Sequence, residues 1–170
     1  DNGVIVCGYA KSNDTNESSR IYSTSNGGES WDIVGSGPAT NIIKGVVYVS
    51  SDVGFFCYDY VEGMDSNLYK TDDGGKTFAK VMLEEQELDS SAANPQGQET
   101  ETKTDSGKNG ADSSEQLRWG DVYKEALTPV VDSTGIITIY LTQGKNAVYN
   151  DGKTAAKYQS SDKGSTWKYI

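Results

Sequence analysis

Apolar and aromatic residues along this chain fall in short runs, broken by stretches rich in Gly, Ser, Asn and Asp. Short apolar or alternating runs between such breaks predict β-strands joined by turns. The pattern places strands at 4–9, 21–23, 30–34, 42–49, 55–60, 68–70, 77–83, 117–123, 136–141, 157–159 and 166–170. Val130 and Val131 extend or pair with the strand at 117–123. Residues 124–127 carry helix-favouring side chains, but Pro129 biases Thr128 away from helical geometry and the run is too short to assign. The expected class is all-β.

Three of the breaks share one pattern. Thr24-Ser25-Asn26-Gly27-Gly28-Glu29-Ser30-Trp31, Thr71-Asp72-Asp73-Gly74-Gly75-Lys76-Thr77-Phe78 and Ser160-Ser161-Asp162-Lys163-Gly164-Ser165-Thr166-Trp167 each follow a strand carrying a Tyr. Each opens on Ser or Thr, has Asn or Asp third, Gly fifth, Ser or Thr seventh and Trp or Phe eighth. Chemically this is a hairpin turn. The side chains of Asn26, Asp73 and Asp162 can accept hydrogen bonds from backbone N–H groups further along the loop. Gly28, Gly75 and Gly164 stand where positive φ is needed. Trp31, Phe78 and Trp167 supply the apolar surface that anchors the turn. Repetition of one turn argues for a repeat architecture over catalytic carboxylates or metal ligands.

The pattern resembles the Asp-box (BNR) repeat of sialidases and related β-propellers. That resemblance implies four-stranded antiparallel blades, with the box between the third and fourth strands and ligand sites on the opposite face. The third positions of the boxes are 26, 73 and 162, so they are 47 and 89 residues apart; without the 33 residues of 84–116 the second spacing falls to 56. The expected architecture is therefore three blades, the first lacking its inner strand, within one domain spanning 1–170. Three blades are too few for ordinary closure. The alternatives are a fragment of a longer propeller (ranked first), a ring completed by self-association, and an open arc or other sheet packing.

Composition adjusts this picture in three places. Residues 84–116 hold nine acidic and two basic residues and no aromatic one, most of the chain's net charge of −10. Such a segment cannot bury enough apolar surface to offset chain entropy, so it reads as an acidic, mobile insertion. The acidic balance also argues against nucleic acid or anionic membranes as partners, and no run is long enough for a membrane-spanning helix. No leader precedes Asp1, so the expectation of a secreted or cell-surface protein requires that it has been removed. Cys7 and Cys57 are the only cysteines and histidine is absent. They form either one disulfide, if the protein is exported, or two buried free thiols, and no standard zinc site can be built from them.

The sialidase resemblance further implies an arginine triad, a Tyr–Glu nucleophile pair and an acid/base Asp. Arg20 and Arg118 are the only arginines, so the triad cannot be assembled within this chain. Asp59, Glu62 and Asp65 cluster on one loop, but exposed acidic loop residues usually do no chemistry. No cofactor motif is present. The favoured reading is a non-catalytic module that binds glycan or protein through the long loops opposite the boxes, with Tyr60, Trp119 and Tyr149 as candidates for stacking on sugar rings. The alternative is a fragment of a sialidase-like glycoside hydrolase whose catalytic residues lie elsewhere in a longer chain.

Overall fold

The computed structural model describes residues 1–10, 17–88, 118–143, 149 and 155–170. It is all-β, with one short helix, and forms three antiparallel sheets in chain order. The first holds β1 (Gly3–Ala10), β2 (Glu17–Thr24) and β3 (Asp32–Ser36). The second holds β4 (Ile43–Tyr48), β5 (Gly54–Tyr58), β6 (Leu68–Thr71) and β7 (Ala79–Lys80). Helix α1 (Trp119–Val122) leads into the third, made of β8 (Glu125–Ala126), β9 (Val130–Val131), β10 (Ile137–Thr142), β11 (Ala156–Ser160) and β12 (Lys168–Tyr169). Each sheet is a meander in which consecutive strands pair, except that β8 and β9 both pair with β10.

Strand β5 shows why the sheets stack. All five of its residues are buried, so the run Gly-Phe-Phe-Cys-Tyr is covered on both faces. Because side chains alternate along a strand, Phe56 and Tyr58 turn to one side, Phe55 and Cys57 to the other. Phe56 and Tyr58 form a core with Ile21 of the first sheet, flanked by Val4, Val6, Val34, Val46 and Tyr48. Phe55 and Cys57 join Leu68 and Val81 against Ile137, Ile139 and Ala126 of the third sheet. Phe55, Phe56 and Tyr58 are fully buried, and such side chains contribute about 1.5–3 kcal/mol each through the hydrophobic effect.

Polar bridges fix the stacking. Tyr58 Oη lies 3.2 Å from Ser19 Oγ across the first interface. A Cβ on Gly37 would stand 1.9 Å from Ser19 Oγ and 2.4 Å from Tyr58 Oη, so this close approach requires glycine. Across the second interface, the buried Asn67 amide donates to Tyr58 O (2.7 Å) and Ala126 O (2.9 Å) and accepts from Ala126 N–H (2.9 Å). No sequence pattern marks Asn67, since its role depends on a strand about sixty residues away.

One segment departs from the expected strands. Residues 117–123 read as a strand, yet 119–122 form α1, where Tyr123 N–H donates to Trp119 O at 2.9 Å. Trp119, Val122 and Tyr123 stand at helical spacing and are all buried, which favours one helical turn over a strand. Strand pairing moves to residues 125–126 and 130–131, on either side of Pro129. Of the segment 84–116 read as an insertion, residues 84–88 are described: Leu88, with Leu83 before it, packs on the core around Trp119, and Tyr158 Oη donates to Glu84 O. Residues 89–116 lie outside the described residues.

Candidate functional site at the two ends of the sheets

The three repeat turns are built alike, from the strand end upward. Thr71 Oγ1 accepts from Gly75 N–H (2.8 Å) and donates to Asp73 Oδ1 (2.8 Å). Asp73 Oδ1 accepts from Lys76 N–H and Thr77 N–H, while Oδ2 accepts from Thr77 Oγ1 at 2.6 Å. Ser160, Asp162, Gly164 and Thr166 repeat the set. In the first turn Asn26 Oδ1 accepts from Ser30 N–H (3.1 Å) while its amide donates to Ser30 Oγ (2.9 Å). Two consecutive residues per turn adopt positive φ: Gly27 and Gly28, Gly74 and Gly75, Lys163 and Gly164.

These bonds occupy the carboxylates. The Thr77 hydroxyl and N–H hold Asp73 well below the usual carboxylate range, and the Thr166 hydroxyl and N–H do the same for Asp162. A general acid needs the opposite shift. What the turns do is seat one sheet on the one before. A Cβ on Gly75 would lie 3.3 Å from Ile21 of the first sheet, and one on Gly164 would lie 2.5 Å from Phe55 of the second. Trp167 meets Phe55 edge-on at 6.0 Å, and Phe78 packs on Phe56 at 4.9 Å. Trp31 has no earlier sheet to meet among the described residues and stays 37% exposed.

Meander topology puts the β5–β6 loop and the segments flanking α1 at the end away from the turns. There, between the second and third sheets, a cleft of about 130 Å³ is lined by Tyr60, Asp65, Glu85, Trp119, Tyr123 and Lys124, among others. Two ion pairs include a lining residue, Lys80–Asp65 (2.7 Å) and Lys124–Glu62 (3.2 Å), and on the same β5–β6 loop Asp59 pairs with Lys44 (3.0 Å). Hydrogen bonding to Lys80 is the main cause that lowers the Asp65 pKa. The loop carboxylates thus hold lysines from other segments of the chain. Among the described residues no cluster of ligating side chains could hold a metal ion.

The rings sit differently from the open platforms expected. Trp119 and Tyr149 are each only 7% exposed. Trp119 packs on Tyr123 (4.6 Å) and Tyr169 (5.4 Å), and Tyr123 on Tyr149 (6.2 Å); of these rings, Trp119 and Tyr123 line the cleft. Gln143 clamps Tyr149 through both backbone groups. Tyr60 is half-buried and lines the cleft directly. The Trp119 Nε1–H is buried with no hydrogen-bond partner. It lies near enough to the Tyr158 hydroxyl to temper the upward pKa shift that burial imposes there, but outside bonding geometry.

Cys7 and Cys57 are both free thiols, in different sheets. Cys7 is exposed on β1, contrary to the expectation of two buried thiols or one disulfide. Cys57 is buried, donates to Ala126 O at 3.3 Å, and is pushed by burial up to about 11. Arg20 lies over the Tyr9 ring at 5.8 Å, and Arg118 pairs with Asp121 at 2.9 Å. Compared with known proteins, the chain matches no family model and no curated protein.

Proposed function

We propose that this chain is a β-propeller-type binding module, its three sheets acting as blades on Asp-box turns. It takes a hydroxyl-bearing ligand, first of all a glycan, in the cleft opposite those turns, in an extracellular setting. The observation that carries this reading is the buried, unpartnered Trp119 indole N–H in the wall of a cleft lined by Tyr60 and Tyr123. A buried donor left unpaired costs about 1–3 kcal/mol, which an incoming hydroxyl or carbonyl oxygen would offset. The cleft is smaller than the roughly 300–1,000 Å³ of a drug-sized site, so it suits one terminal group of a larger ligand. Carboxylates held by turns or lysines support binding without turnover.

Glycan-array and calorimetric binding test the reading. Tyr60→Ala and Trp119→Phe should each abolish or strongly weaken glycan binding, with Tyr60→Ala leaving the thermal midpoint in place. Binding that ignores both substitutions would refute the site. Turnover of a fluorogenic sialoside or glycoside would favour the hydrolase alternative. A protein partner is the second reading, favoured by the exposed Ile5, Tyr9 and Ile33 on the outer face of the first sheet.

A further inference from the structure

The three sheets differ at one edge. β1, β5 and β10 correspond, since each precedes the strand that enters a repeat turn. The far edge of β5 carries β4, and the far edge of β10 carries β8 and β9, whereas β1 pairs only with β2 among the described residues. Natural edges are usually blunted by charge, proline or a bulge. β1, Gly-Val-Ile-Val-Cys-Gly-Tyr-Ala, holds eight residues without a charge or a proline, in unbroken register with β2.

Beside this edge runs a groove of about 790 Å³, with Val4, Val6 and Gly8 on one wall and Ile43, Val46 and Tyr48 on the other. Five of these six also pack against the core of Ile21, Phe56 and Tyr58, so the groove is continuous with the interface between the first two sheets. The next interface shows how closely such inner segments approach. A Cβ on Gly45 of β4 would stand 2.4 Å from Thr128 Oγ1, in the connection between β8 and β9.

We infer that the open edge of β1 accepts an extended, predominantly apolar strand from another polypeptide, laid antiparallel in the place that β4 holds on β5. Main-chain hydrogen bonds to β1 supply the affinity, and alternate apolar side chains fill the groove, as in β-strand addition generally. This inference does not depend on the glycan cleft, which lies between the other pair of sheets.

The probe is a synthetic peptide of the Ile43–Tyr48 sequence, flanked by lysines for solubility and carrying a fluorophore. It should bind the intact chain saturably at one site and slow amide exchange in residues 3–10, leaving 125–143 unchanged. A peptide with Val46→Pro and Val47→Pro should not bind. The Val4→Lys protein should bind on the order of tenfold more weakly, and exchange on the unsubstituted protein decides the matter if that variant misfolds. No saturable binding, or slowed exchange only around Trp119, would overturn the inference. So would a dimer by light scattering whose β1 amides are already protected, since a second copy would then hold the edge.

Discussion

The first and third sheets are the two ends of one stack, built on the same repeat turn, yet finished differently. On the first, Ile5, Cys7, Tyr9, Tyr22 and Ile33 share the outer face with Arg20, and Ile33 is 62% exposed. On the third, the outer face carries Thr138, Tyr140, Lys157, Gln159 and Lys168, a mostly polar set, with the exposed Val130 paired to Thr138. Trp167 of the third sheet is locked edge-on to Phe55, whereas Trp31 of the first rests on its own glycines. The contrast assigns the turn its work: the motif clamps a sheet to the one before it, and the first turn meets no earlier sheet among the described residues.

The largest effects should come from that clamp. Phe55→Ala should cost about 3–5 kcal/mol in denaturant unfolding, as for a fully buried ring. Ile33→Ala on the open face should stay within about 0.5 kcal/mol. Equal losses at both positions would break the comparison. Next come the turn glycines. Gly28→Ala should cost about 1–2 kcal/mol from left-handed strain alone. Gly164→Ala adds a clash with Phe55 and should cost about 2–4 kcal/mol.

Acid should separate the turns in a third way. The folded-state pKa values of Asp73 and Asp162 are depressed, so the unfolded chain binds protons first as pH falls. Their stabilisation is complete at neutral pH and is lost as pH drops below the ordinary carboxylate value of 3.8. Asn26 does not titrate, so the first turn is insensitive. Asp73→Asn with Asp162→Asn should flatten the loss of unfolding free energy between neutral and acid pH, read by tryptophan fluorescence in denaturant at each pH; an unchanged pH dependence would rule out this origin of acid lability. The smallest effect belongs to Lys163, whose φ of 58° is taken by glycine in the other two turns. Lys163→Gly should stabilise by about 0.5–1 kcal/mol after the entropy cost of glycine is counted.

Much of the fold was legible because its signals are local. Strand runs, turn residues and the requirement for positive φ at Gly28, Gly75 and Gly164 are all written within eight-residue windows. The preceding positive-φ position was missed because Lys163 disguises what Gly27 and Gly74 mark. Helix α1 was missed because a single turn with three apolar residues also reads as a strand. The candidate site was far less legible. Tyr60 lines the cleft as a loop aromatic can, but burial of Trp119 and Tyr149 follows from Tyr123, Tyr158 and Tyr169 converging from separate segments. Cys7 and Cys57 look alike in sequence, and only the stacking of the sheets tells them apart.

Those two thiols also provide the most direct test of the open first sheet against the closed second. In native protein at mildly alkaline pH, an aromatic disulfide reagent should titrate one thiol rapidly, and peptide mapping should place the label on Cys7. Cys57, 1% exposed with its pKa raised by burial, should react only on unfolding. Rapid labelling of both cysteines, or of neither before denaturation, would contradict the account.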